Sequence, residues 1–216
     1  MLRVGLTGGI ACGKSVVGEM FVALGAHLVQ ADKIAHELML PGQPVYNEVV
    51  KHFGRAILNP DMSVNRAKLA ELAFATSSQP SGQTVSRVQE LNRIVHPAVI
   101  RAQEEWMEEI AQHDRSAVAM VEAALIVEAG TADRFDSLVV VTCSEDQRVT
   151  RFAARQKLPP EDARKEVVRR MAAQLPDADK IKIANYVIDN SGTLNHTRQQ
   201  VEHVWDELRR RAAPEA

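Results

Sequence analysis

Gly8, Gly13, Lys14 and Ser15 stand at the spacing GxxxxGK[ST], the pattern that wraps a phosphate group. Glycines at both ends permit backbone angles that a Cβ penalises, so consecutive N–H groups can turn inward onto phosphate oxygens. Lys14 would add a point charge for the β- and γ-phosphates, and the Ser15 hydroxyl suits a Mg²⁺ ligand shared with phosphate oxygens and water. The remaining candidates are carboxylates, arginines and one histidine: Asp32, Glu122, Arg148, Arg151, Arg155 and His96. A carboxylate can orient or deprotonate a hydroxyl, and arginines can cover the charge of a transferring phosphoryl group.

The elements around these residues decide whether the chemistry is plausible. A short apolar run ends at Thr7 and the apolar-periodic stretch 16–24 follows Ser15, so the order is strand, glycine loop, helix, as a P-loop requires. The alternative, a chance glycine turn, explains none of that context. Residues 27–30 read as a second strand after Gly25, which puts Asp32 just past a strand's C-terminal end, the ligand-binding edge of a parallel α/β sheet. Asp32 is equally placed to cap a helix over 33–40, and spacing alone leaves both roles open.

From 41 to 113 the pattern is helical, over 45–53, 66–74, 85–95 and 98–111, with His96-Pro97 between the last two helices and a polar, turn-rich, mobile loop expected over 76–83. His96 is read either as structural or as a ligand contact at a helix break. The apolar run 117–121 predicts a central strand ending at Glu122, where the carboxylate has either a Mg²⁺-associated role or a local structural one. Further strands are expected over 138–141 and 186–189, and a final helix over 194–210. Between them, Arg148, Arg151 and Arg155 share one helix face by spacing, followed by Arg164, Arg169 and Arg170; the stripe is either a solvated surface or part of a lid.

With 26 basic and 28 acidic residues in 216, the net charge of -2 gives no reason to expect a nucleic-acid partner. The most apolar internal stretch, 117–127, is short and interrupted by Glu122, and the N-terminus lacks a signal-like apolar region, so a cytoplasmic protein without a membrane partner is expected. Two cysteines without metal-ligand spacing, Cys12 and Cys143, fit a reducing compartment. Cys12 near a helix N-terminus and Lys14 is expected to favour its thiolate and to be alkylated unless ATP shields it.

Over nearly its whole length the chain resembles the dephospho-CoA kinases. The resemblance rests on Leu6-Thr7-Gly8-Gly9-Ile10 with Gly13-Lys14-Ser15, on Ala31-Asp32 with Ile34-Ala35, and on Pro41-Gly42 with Phe53-Gly54. It continues through Arg66 with Leu69 and Phe74, Ile94 with His96-Pro97, Leu125 with Glu128, Arg151 with Arg155, and Tyr186-Val187-Ile188-Asp189-Asn190-Ser191-Gly192. Departures are Ala11 and Cys12 where the family usually has Gly and Ser, Gln30 and Asn65 where aspartate is common, and Ala124 for a proline. The 76–83 loop is also longer than the family pattern.

The resemblance implies an α/β nucleoside-monophosphate-kinase-like core with a five-stranded parallel sheet over 1–31, 116–144 and 184–212. A helical acceptor domain over 32–115, a helical lid over 145–183 and a disordered tail over 213–216 would complete it. The implied reaction transfers the γ-phosphoryl group of ATP to the ribose 3′-hydroxyl of dephospho-CoA, with ATP and Mg²⁺ required. Asp32, Lys14 and Arg151 would be catalytic. Gly8, Gly9, Ala11, Cys12, Gly13, Lys14, Ser15 and Val16, with Arg155 and Asn190, would hold the nucleotide. Thr7, Asp32, Arg66 and His96 would bind the acceptor, and Ser15 and Glu122 the metal. A kinase of another small hydroxyl compound, such as a nucleoside or sugar acid, is the competing reading. A GTPase-type switch fits worse: Asp189-Asn190-Ser191-Gly192 matches DxxG but follows a late strand, and no Asn-Lys-x-Asp motif is present.

Overall fold

The computed structural model describes residues 1–74, 76–78 and 84–213. The chain opens with β1 (Leu2–Gly8), α1 (Lys14–Ala23) and β2 (His27–Gln30), then runs through α2 (Ala31–Leu38), α3 (Pro44–Phe53) and α4 (Arg66–Phe74). Next come β3 (Thr76–Ser78), β4 (Thr84–Ser86), α5 (Arg87–His113), β5 (Val118–Glu122) and β6 (Ser137–Thr142). The helices α6 (Glu145–Gln156), α7 (Pro160–Ala172) and α8 (Asp177–Lys182) precede β7 (Tyr186–Asp189) and α9 (Leu194–Ala212). Two compact units result, one formed by 1–30 with 107–216 and the other by 31–106.

In the first unit the strands lie in the order β2-β5-β1-β6-β7, every neighbouring pair parallel. Such a sheet needs cover on both faces, and β6 shows how the sequence supplies it. Alternate residues Val139 and Val141 join Val17 and Phe21 of α1 and Val201 and Leu208 of α9 in one cluster. Leu138 and Val140 between them pack instead with Ile126 and Phe135 on the other face. Phe21 is fully buried, and burying such a side chain is worth about 1.5–3 kcal/mol. β1 lies centrally, so the loop leaving Gly8 emerges at the middle of the sheet's C-terminal edge.

The second unit is mainly helical. Val45, Tyr46, Val49 and Phe53 are the buried face of α3, the Tyr46 hydroxyl donates to Met62 O at 2.6 Å, and the Arg87 guanidinium lies 4.8 Å over the Phe53 ring.

Three expectations are corrected. The stretches 85–95 and 98–111 are one helix, α5, with Pro97 inside it. Proline removes one N–H from the ladder, and here the flanking turns carry the helix past it, with Val95, Ala98 and Val99 buried. Residues 76–78 of the expected loop over 76–83 form the short strand β3, antiparallel to β4; residues 79–83 lie outside the described residues, as does the 214–216 part of the expected tail. Finally, α2 begins at Ala31, two residues before the expected start, so Asp32 is inside the first turn and not before it. Among the described residues no helix is long and apolar enough to cross a membrane.

Candidate active site

The glycine loop is shaped by its helix. Gly13 caps α1 with φ 92°, a left-handed angle that costs an L side chain energy, and contributes no side-chain cap. The first intrahelical bond runs from Val17 N to Gly13 O at 3.1 Å, so the amides of Lys14, Ser15 and Val16 end the helix without an intrahelical acceptor. Three such donors and the positive helix end make an anion site. Lys14 Nζ lies in the same loop, donating to Gly8 O at 3.0 Å and Gly9 O at 3.2 Å.

At the sheet edge beside it, strand register pairs Glu122 with Leu6 on one side and Gln30 on the other. Both carboxylate oxygens are taken: Ser15 Oγ donates to Oε1 at 2.8 Å and Gln30 Nε2 to Oε2 at 2.9 Å. Ser15 and Glu122 are thus brought together, as expected. Among the described residues there is no group of three or more His, Cys, Asp or Glu able to hold a metal. A hydroxyl beside one carboxylate fits a hard cation that takes its other ligands from phosphates and water.

The remaining side chains grip the loop from its other side. Asn190, buried, donates through Nδ2 to Cys12 O at 2.8 Å and accepts the Thr197 hydroxyl on Oδ1 at 2.9 Å. Expected to touch the nucleotide, its side chain instead has both polar atoms engaged within the protein. Arg151 donates to Cys12 O at 3.2 Å and Asn190 O at 2.9 Å, so its charge sits against the loop. Thr7, expected to bind the acceptor, is fully buried, and its hydroxyl donates to Ala124 O at 3.3 Å.

Arg148 does not share an exposed face with Arg151 and Arg155: it is 1% exposed. Its Nε donates to Cys143 O at 3.2 Å, Nη1 to Ile10 O at 3.3 Å, and Nη2 to Asp177. Arg155 is exposed, with its guanidinium 5.8 Å over the Phe152 ring. The later arginines are engaged on the surface, Arg164 with Glu145 and Asp146, and Arg169 and Arg170 with Glu166, whose carboxyl their hydrogen bonds hold down at about 2.

Cys12 is the other correction. Its side chain is fully buried in the sheet core, and burial pushes the thiol above its ordinary value despite Lys14 and Arg148 nearby. The amides of the loop do not make this a reactive thiolate. In the helical unit, Asp32, Arg66 and His96 are all exposed, in the first turn of α2, at the start of α4 and within α5.

The family model for dephospho-CoA kinase matches residues 2–196. A dephospho-CoA kinase of Aquifex aeolicus is 38% identical over 210 residues, covering 97% of this chain and 99% of that protein. One of Corynebacterium efficiens is 39% identical over 210 residues, covering 96% and 98%. The chain belongs to the dephospho-CoA kinase family. In fold, the crystal structure of TT1252 from Thermus thermophilus superposes with a TM-score of 0.74 at 28% identity, covering 96% of this chain and 97% of that one. The chain is therefore a phosphotransferase of the P-loop kinases.

Family membership puts two departures in a new light. Ala11, where the family usually has glycine, adopts φ 53°, the left-handed region that suits glycine. Gln30, where aspartate is common, gives Glu122 an N–H donor in place of a second carboxylate. Sequence reasoning missed Gln174 and Asp177 as neighbours of the loop, and the buried ion pair of Lys180 with Glu128 Oε1 at 2.7 Å. The pairing of Leu125 with Glu128 in the family pattern was the only signal for that carboxylate.

Proposed function

We propose that the protein transfers the γ-phosphoryl group of ATP to the ribose 3′-hydroxyl of dephospho-CoA, giving CoA and ADP. The observation that carries the reading is the Gly13-capped helix end, whose first amides have no intrahelical acceptor, beside the Ser15–Glu122 contact, in a chain of this family. The acceptor oxygen forms a bond to the γ-phosphorus as the bond to the β,γ-bridging oxygen breaks, and Asp32 receives the hydroxyl proton. Lys14 leaves its loop carbonyls to follow the γ-phosphoryl group, while the loop amides keep hold of the remaining phosphates. Arg151 and Arg155 add positive charge from the lid, residues 145–183. Ser15 and Glu122 would hold Mg²⁺, which when bound supplies charge neutralisation on the phosphate oxygens.

In this reading residues 32–115 bind the acceptor, with Arg66 and His96 among its contacts, and the enzyme works in the cytoplasm. ADP release with dephospho-CoA as the only acceptor, set beside a panel of nucleosides and sugar acids, tests the proposal. Turnover with dephospho-CoA alone is expected. Turnover with a different acceptor and none with dephospho-CoA would overturn it.

A further inference from the structure

Both backbone groups of Ile10, in the middle of the phosphate loop, are held by side chains from the lid side of the first unit. Ile10 N–H donates to Gln174 Oε1 at 3.2 Å, and Ile10 O accepts from Arg148 Nη1 at 3.3 Å. Gln174 follows α7 directly, and Arg148 belongs to α6. The Ile10 side chain joins the same grip, packing with that of Ala11 on the cluster of Val149, Phe152, Ala163 and Val167 between these two helices. Arg148 itself cannot wander: Asp177 pairs with its Nη2 and Cys143 O takes its Nε.

The two backbone contacts act on successive peptide units, and a trans peptide points its C=O and N–H in opposite directions. Drawing Ile10 N–H towards Gln174 turns Gly9 O the other way, and that is where Lys14 Nζ meets it at 3.2 Å. Drawing Ile10 O towards Arg148 turns the Ala11 N–H away from the lid, into the loop. One carbonyl is thereby set to hold the lysine and one amide to receive a phosphate oxygen. Fixing both peptides around Ile10 also constrains the next residue, Ala11, to its left-handed φ of 53°.

We propose that Gln174 and Arg148 are positioning residues of the phosphate loop, and that through them the α6–α7 lid helices set the loop's affinity for the nucleotide. The inference rests on the nucleotide-binding reading above. It differs from the lid-arginine expectation in kind, because Arg148 acts on the protein backbone and never meets the phosphates.

Gln174 is partly exposed, so its variants should fold. ATP binding to the full-length chain, measured by calorimetric titration with no acceptor present and below each variant's unfolding temperature, is the test. Gln174→Met keeps the size and loses the acceptor, and should weaken ATP binding about tenfold, the scale of one lost hydrogen bond. Gln174→Glu keeps an acceptor for Ile10 N–H and should stay within about threefold of the wild type, a difference of about 0.65 kcal/mol. Wild-type ATP affinity in Gln174→Met would overturn the inference, and so would equal weakening in both variants. Absence of ATP binding in the wild-type protein would instead overturn the proposed function.

Discussion

A Cβ built on Gly9 would stand 1.9 Å from Arg148 Nη1, so a side chain at Gly9 and the guanidinium of Arg148 compete for one volume. The second glycine of the loop is thus required by the protein itself, whatever the phosphate requires. Gly9→Ala should destabilise the fold by about 1–3 kcal/mol, the range for forcing extra atoms into a packed site, because all three guanidinium nitrogens are already committed. Combining it with Arg148→Met should cost less than the sum of the two single changes. Denaturant unfolding of the four proteins measures this, and strict additivity would refute the shared-volume account.

Ala11 spends its life at φ 53° without being a glycine. Ala11→Gly removes the strain of that angle while making the unfolded chain somewhat freer, and the first effect should win by about 1 kcal/mol. A raised melting temperature in thermal unfolding is the expected outcome; an unchanged or lowered one would mean the loop already absorbs the strain.

Asp32 separates a structural role from a chemical one. It lies exposed within the first turn of α2, so both Asp32→Asn and Asp32→Ala should change stability by no more than about 0.5 kcal/mol. Loss of a general base typically lowers turnover by roughly 10² to 10⁴, and both variants should show it while still binding ATP. Full activity in Asp32→Asn would remove this carboxylate from the mechanism.

Cys12 should alkylate slowly whether ATP is present or absent, because its sulfur is buried in the core and the neutral thiol is favoured. Burial raises the folded-state value above the ordinary 9.0, so this contribution to stability is intact below about pH 9 and is lost as the pH climbs beyond it. Replacing Cys12 with serine should flatten that part of the stability profile. A thiol that ATP protects from fast alkylation would show that the loop opens far more than its packing indicates.

The inner strands were legible because they are nearly continuous apolar runs, as in Ser137–Thr142, the pattern of a parallel sheet covered on both faces. The phosphate loop was legible because glycine, lysine and serine at fixed offsets carry their geometry with them. The Pro97 helix was not, since proline is a local stop signal and tertiary packing around Val95 and Val99 overrides it. Arg148 was misread for a related reason: spacing places a side chain on a helix face but does not say whether that face is buried. Gln174 could not have been found, because its partner Ile10 is more than a hundred residues away and carries no polar side chain to advertise the contact.

The grip of Asn190 on Cys12 O joins residues 178 positions apart. A chain emerging from the ribosome makes its glycine loop long before Asn190, one of the residues that fasten it, which follows β7 at the sheet edge beside β6. Long-range closures of this kind form late, once shorter ones have collapsed. Nascent chains that stop short of Asn190 should therefore carry the whole motif yet hold ATP poorly, so that nucleotide capture marks the arrival of Asn190 in the folded sheet.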